Sequence, residues 1–489
     1  MLNKNPEAAE APPLTVRNLT STPIELKLIE RFNALDDGWS IANITRSHKP
    51  INTAKAKAPT AAQLAANLET FSNQALSIRI EPFQTHRTDI DVRGKSKNQV
   101  LRYIFEHNGE RYRLDALSTM NGSATLQPLT INPRYKYTAI YLANHSFLAL
   151  FSSANLNRWM REMKDETPLS ALSIPGSHNS PTYHKALPSV RCQAHSPKTQ
   201  LENGVRFFDI RVQPENPNKS EKDGLILVHS AFSISLKGNY YFRPLVNDIL
   251  AFLEKSPSET VIMSIKREGT GNATDTQLGH ILHEHYTGDT KRWFTEPRIP
   301  TLREARGKIV VMRRFHIDDE LKKEWNGKGW CIDAEIWADN TPNDTCASGH
   351  ICVQDFYEVL ASENIERKIE FAEAQFERAA KCQCDLSCID IKDMAETSWP
   401  PFYLNFLSAS NFWRTGCWPE RIAARLNPVT VEFLCMKHNT SEESDGPKEL
   451  GDGSTGIVVG DWLGNNGNWD LVRCVVGWNA RLELREKKN

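Results

Sequence analysis

A chain of 489 residues is long enough for a large core and for more than one domain. Its 59 basic and 60 acidic side chains leave a net charge of -1, so there is no bulk basic field for nucleic acid and no acidic tail. The most apolar long stretch, Tyr137 to Ser153, is interrupted by Asn144 and His145 and is too short to span a bilayer.

The opening residues, MLNKNPEAAEAPPL, lack an apolar segment of the secretory type, which predicts a cytoplasmic location compatible with peripheral membrane association. From residue 11 to 150 short alternating segments dominate: "LTVRNLTSTPIELKLIERF", "LSIRIEPF" and "YKYTAIYL". In "VLRYIFEHNGERYRLDAL", apolar and aromatic residues alternate on both sides of Asn108-Gly109, a pair suited to the positive φ angles of a type I′ hairpin turn. This pattern predicts an N-terminal all-β sandwich, with no legible role and no identifiable protein partner. The Ala- and Lys-rich segment Thr53 to Asn67 reads as a loop insertion or a short helix.

From 155 to 485 the texture changes. Eight apolar runs, "SALSIPG", "VRFFDIRV", "LILVHS", "TVIMSIKRE", "KIVVMRRF", "ICVQDFYE", "FYLNFLSA" and "GIVVGDWL", alternate with stretches of helical spacing such as Tyr241 to Ser256 and Gln277 to Tyr286. Strands apolar on both faces and separated by helices predict an α/β fold, a (β/α)8 TIM-like barrel. Phe371 to Ser398 is expected as an excursion between runs six and seven. It contains Cys382, Cys384 and Cys388, but no further Cys or His at zinc-site spacing, so no metal is expected there.

The C-terminal strand ends of such a barrel form its active face. Here they offer His178 and Asn179, Asp209 and Arg211, His229, Lys266 and Glu268, Arg313 and Arg314, Asp355 and Tyr357, and Asp461. Each alone could be a solvated or capping residue. Gathered on one face they would cost desolvation and repulsion unless a ligand used them. Two imidazoles with cations between them suit phosphodiester cleavage: one ring removes a proton from the attacking oxygen and the other protonates the leaving oxygen, while Arg offers a bidentate fork to phosphate.

Six ordered motifs, "LSIPGSHNS", "GVRFFDIRV", "LVHS", "ETVIMSIKRE", "GKIVVMRRF" and "VQDFYEV", resemble those of phosphatidylinositol-specific phospholipase C in its bacterial, X-domain-only form. The resemblance covers about Asn155 to Asn479. It implies that His178 is the general base toward the inositol 2-hydroxyl and His229 the general acid toward the diacylglycerol oxygen. It also implies that Arg211 binds phosphate beside Asp209, that Lys266 is the strand-four cation, that Arg314 and Asp355 bind inositol hydroxyls, that Tyr357 stacks on the ring and that Asp461 orients His178. The products would be a cyclic inositol phosphate and diacylglycerol, and the partner a membrane phospholipid with an inositol headgroup. A different phosphodiester substrate and a catalytically weak lipid-binding scaffold stand as alternatives.

Where calcium-dependent relatives need oxygen ligands, this chain has Arg211 and Lys266, so no cofactor and no metal are expected. The family pattern also has Asp where this chain has Asn179, and there it supports the second imidazole. An amide stabilises an imidazolium less than a carboxylate does, so weaker turnover is expected. Phe412, Trp413 and Trp418 in "SASNFWRTGCWPER" are expected on a rim loop, as membrane contacts at headgroup depth.

Overall fold

The structure, a computed structural model, describes residues 12–32, 61–66, 70–92, 99–219, 221–360, 362–384, 399–440 and 451–486. These residues form two compact units, one comprising the chain up to Ala154 together with the segment from Leu484, the other spanning Asn155–Glu483.

The first unit is built from β1 (Thr15–Leu19), β2 (Ile24–Phe32), β3 (Thr70–Ile80), β4 (Thr85–Arg87), β5 (Val100–His107), β6 (Glu110–Leu117), β7 (Gly122–Thr125), β8 (Gln127–Pro128), β9 (Thr138–Leu142) and β10 (Phe147–Phe151). They make two five-stranded sheets, ordered β4-β1-β10-β9-β7 and β3-β2-β5-β6-β8. Alternation along the strands turns Val16, Leu26, Tyr103, Leu148 and Leu150, from both sheets, into one buried cluster. Asn108 and Gly109 join β5 to β6 with φ of 47° and 79°, the type I′ geometry read from the sequence. Within Thr53 to Asn67, Ala61–Ala65 is helical; residues 53–60 and 67 lie outside the described residues.

The second unit is mixed α/β. Its main strands are β11 (Ile174–Ser177), β12 (Phe207–Pro214), β15 (Val261–Arg267), β17 (Ile309–Arg314), β20 (Ile351–Gln354), β21 (Phe402–Phe406) and β22 (Ile457–Gly460). They are parallel in the order β17-β15-β12-β11-β22-β21-β20. They carry apolar side chains on both faces because helices pack outside: Phe242–Lys255, for example, buries Leu245, Val246, Ile249 and Leu253.

The third apolar run departs from the expected eight-strand pattern. β13 (Leu225–His229) lies antiparallel to the end of β12, with Val212 opposite Leu227, and turns back into β14 (Phe232–Ser233). β12 therefore pairs directly with β15. The cause is connection length: a parallel return needs a crossover of about a dozen residues or more. Here Glu215 N–H already reaches Gly224 O at 2.9 Å, closing a hairpin.

Two short parallel strands, β16 (Trp293–Phe294) and β18 (Ile332–Asp333), add to β17, and β19 (Asp344–Thr345) runs antiparallel to β20. Among the described residues no ladder joins β18 to β19 or β20. A loop contact crosses that seam instead: Ser348 Oγ donates to Asp333 O at 2.7 Å.

The stretch expected as an excursion begins as the second half of a helix, Ser362–Lys381, whose Ala372, Phe376, Ala379 and Ala380 are buried. Cys388 lies outside the described residues. Among the described residues no helix is long and apolar enough to cross a membrane.

Gly456, at the entry to β22, has φ +65°, and a Cβ there would lie 2.3 Å from the Tyr403 carbonyl oxygen of β21. Gly456→Ala combines a left-handed penalty with a clash against backbone, so it should lower unfolding free energy by about 2–4 kcal/mol in urea titration.

Candidate active site

The turn after β11 positions the first imidazole. His178 N–H donates to Gly460 O at 3.1 Å, and Asn179 takes a left-handed φ of 41°, which Asn tolerates. That turn aims Asn179 N–H at Asp209 Oδ2, 3.1 Å away, while Ser180 N–H bonds Asp209 O at 3.0 Å. His178 Nδ1 donates to Asp461 Oδ1 at 2.9 Å, so Nε2 is the ring nitrogen left for chemistry. Burial disfavours charge on His178, but Asp461 and the Cys192 sulphur outweigh it and lift the ring well above the ordinary histidine value.

His229 ends β13. Its Nδ1 lies 2.8 Å from Val190 O, which leaves Nε2 available, and its ring centroid is 6.0 Å from that of His178 with the planes at 87°. Both rings line one cavity of about 380 Å³, together with Arg211, Lys266, Arg314, Asp355 and Tyr357. Asp209, Asn179 and Asp461 stand buried behind it.

The cations are wired to carboxylates. Arg211 Nη2 is 3.2 Å from Asp209 Oδ2 and its Nη1 2.7 Å from Glu268 Oε1; Lys266 Nζ shares that Glu268 oxygen at 3.2 Å, and Arg314 Nη1 reaches Asp209 Oδ1 at 3.4 Å. Burial would push Asp209 up, yet Arg211, Arg314 and His178 hold it well below the usual carboxylate range. The Arg314 guanidinium also lies 3.7 Å from the Trp337 ring centroid. Burial raises Asp355 against the pull of Arg314 and Lys368. Tyr357 donates its hydroxyl to Asp339 Oδ1 at 2.8 Å, a contact that, after burial, raises its phenol.

Several expectations shift. Arg313, one residue before Arg314, points away from the cavity: it is buried and bonded to Asp333, Glu335 and the Phe315 carbonyl. Asn179 does not support the second imidazole. Its Nδ2 lies 2.9 Å from His178 Nε2, and the Val190 carbonyl takes the place by His229. On the rim, Phe412 and Trp413 are exposed, Trp413 at 88%, whereas Trp418 is half-buried at the start of the helix Pro419–Met436 and donates its indole N–H to Phe412 O at 3.2 Å. Trp418 therefore braces the loop from within. A missed member is Phe232, stacked on Phe412 at 5.6 Å; an aromatic after a short apolar run gave no periodic signal. The segment Val190–Gln193, which touches both histidines, was equally illegible.

Residues 165–315 match the family model for the phosphatidylinositol-specific phospholipase C X domain. That match lies wholly within the second unit. A 1-phosphatidylinositol phosphodiesterase of Listeria monocytogenes is 32% identical over 190 residues, which are 37% of this chain and 56% of that protein. One from Staphylococcus aureus is 26% identical over 341 residues, 67% of this chain and 95% of its own length. A solved structure of a mutant Staphylococcus aureus phosphatidylinositol-specific phospholipase C shares the fold, with a TM-score of 0.51 and 23% identity over 67% of this chain and 98% of that one. The X-domain match covers His178, Asp209, Arg211, His229, Lys266 and Arg314; Asp355, Tyr357 and Asp461 lie beyond it.

Glu268 gives a pH-dependent test. Burial would raise it, but Arg211, Lys266 and the Ser230 N–H bring it down to about 2, against about 4.3 in an unfolded chain. A depressed carboxylate contributes stability that is present above its unfolded value and lost as pH falls toward the folded one. The stability gap between wild type and Glu268→Gln should be full at pH 6 and close toward pH 2 in parallel denaturant titrations.

Proposed function

We propose that this protein is a phospholipase C-type phosphodiesterase that cleaves phosphatidylinositol, or a related inositol phospholipid, to a cyclic inositol phosphate and diacylglycerol. The observation that carries the reading is the pair of imidazoles 6.0 Å apart at the mouth of a cavity whose other lining includes Arg211, Lys266 and Arg314. With both Nδ1 atoms committed to Asp461 and Val190, the two Nε2 atoms serve different oxygens of one phosphorus centre once substrate displaces the Asn179 amide from His178 Nε2. His178 takes the proton of the attacking hydroxyl and His229 supplies one to the leaving alkoxide. The guanidinium of Arg211, fixed by Asp209 and Glu268, meets the charge that develops on the non-bridging oxygens without having to reorganise. Arg314, Asp355 and Tyr357 open onto the same cavity as the histidines, which favours an inositol ring over another headgroup. A pure scaffold would not need both imidazoles beside these cations.

The reading includes a parallel barrel in place of an open sheet, supported by strand ends from β11 round to β20 lining one cavity, and a two-sheet sandwich for the first unit, supported by its shared core. It also includes metal independence. Asp209 and Glu268, the oxygens a hard cation would need, are already neutralised by Arg211, Arg314 and Lys266. Docking is assigned to a membrane surface, through Trp413 and the Phe412–Phe232 stack. The buried thiols Cys192, Cys331, Cys346 and Cys352 suit a reducing, cytoplasmic location.

The decisive assay is turnover of phosphatidylinositol vesicles with chelator present, followed by phosphorus NMR for the cyclic product. His178→Ala and His229→Ala should each lower kcat by about 10²–10⁴. Loss of activity on chelation, restored by calcium, would overturn metal independence. Because His178 is raised and must be neutral to act as base, activity should climb with pH through and above neutrality, later than an ordinary histidine would allow. Trp413→Ala should weaken vesicle sedimentation about tenfold while sparing a soluble inositol phosphodiester, the difference expected of one interfacial indole.

A further inference from the structure

The segment Val190–Gln193 lies on no strand, yet it contacts both histidines. Val190 O accepts from His229 Nδ1, and Gln193 Nε2 donates to His178 O at 2.7 Å and to Gly460 O at 3.0 Å. Between them Cys192 is fully buried. Its N–H donates to Thr182 Oγ1 at 3.1 Å, and its carbonyl accepts from Trp462 N–H at 2.7 Å, so the backbone is fixed from two sides. That fixation puts Sγ 3.8 Å from His229 Nδ1 and 3.9 Å from Asn179 Nδ2. Sγ also lies within 4.8 Å of a His178 ring nitrogen and an Asp461 oxygen. A sulphur in apolar surroundings is an inert filler. This one faces two imidazoles, an amide and a carboxylate.

We propose that Cys192 is a positioning residue of the acid–base pair, a thiolate that fixes the two rings and supplies the negative charge that the Asn179 amide lacks. Its catalytic consequence rests on the phospholipase reading. The charged groups facing the sulphur come from three elements: His178 from the turn after β11, His229 from β13 and Asp461 from the loop after β22. Asp209 of β12 adds a carboxylate 4.0 Å from His178 Nε2. Arg191, on the same segment as Cys192, has its guanidinium over the Trp462 ring at 4.6 Å. Burial and Asp461 push the thiol up, but His229 and His178 bring it down to about 7, so a large thiolate fraction exists at neutral pH. The same sulphur acts with Asp461 to lift His178.

The sign of the effect follows. Removing the thiolate lowers His178, so its neutral, base-competent form appears at lower pH, while both rings lose part of their fixation. With phosphatidylinositol as substrate, Cys192→Ser and Cys192→Ala should move the acid limb of kcat/KM down by half a pH unit or more. The plateau should fall about tenfold. In the substrate-free wild-type protein, the His178 Cε1 proton followed by NMR should show a second inflection near pH 7 as the thiol ionises, and this inflection should vanish in both variants.

An unmoved acid limb in folded variants, or a single-step wild-type titration, overturns the proposal; the wild-type NMR titration decides the matter if neither variant folds. Absence of any phosphatidylinositol turnover by wild type would instead sink the phospholipase reading, and the NMR titration would still report on Cys192.

Discussion

A carboxylate with no solvent exposure organises the site. Asp209 is fully buried and held ionised by Arg211 and Arg314, and it accepts a backbone N–H from Asn179 on the turn that carries His178. One negative charge thus ties together the ends of β11, β12 and β17. Removing it would leave the two largely buried guanidiniums of Arg211 and Arg314 without a shared carboxylate, and breaking a buried ion pair from one side typically costs about 3–5 kcal/mol. It also sets what the cavity can accept. Asp209 and Glu268 neutralise part of the positive charge of Arg211, Arg314 and Lys266, so the cavity attracts an anion less strongly than three unpaired cations would.

Beneath the cavity lies a second polar layer. Gln354 of β20 donates to Asn405 Oδ1 of β21 at 2.8 Å and accepts from Lys368 Nζ at 2.9 Å, with Lys368 wholly buried. Burial drives that amine down to about 7, against the opposing pull of Asp355 and Asp461. These bonds tie the side chains of β20 and β21 to the helix that carries Lys368.

Most of the site was legible in the sequence for one reason. Parallel strands deliver their last residues to a common face, so His178, Arg211, Lys266, Arg314 and Asp355 could be gathered by their position at the ends of apolar runs. What escaped the reading depends on contacts that no periodicity encodes. The family pattern puts a carboxylate at position 179 to serve the second imidazole, but here a left-handed turn sends the Asn179 amide to His178. His229 was placed at a parallel strand end, but it arrives on a hairpin extension of β12. Cys192 and the Val190 carbonyl sit on an irregular loop, and loop backbone is positioned by long-range hydrogen bonds, here from Thr182 and Trp462. In the first unit the alternation and the Asn-Gly turn announced strands directly, whereas the parallel pairing of β1 with β10 joins segments more than a hundred residues apart and left no local trace.

The seam between β18 and β20 has a mechanical consequence. Elsewhere in the parallel sheet, spreading two strands means rupturing a row of backbone bonds together, but here, among the described residues, the wall is stitched by side-chain bonding such as that from Ser348 to Asp333. Such stitches can open one at a time. Asp339, Tyr357 and Trp337 line the cavity from this weakly laddered side, while His178 follows a strand laddered on both edges. Displacement of that flank leaves intact the ladders of β11 with β12 and β22 that carry His178.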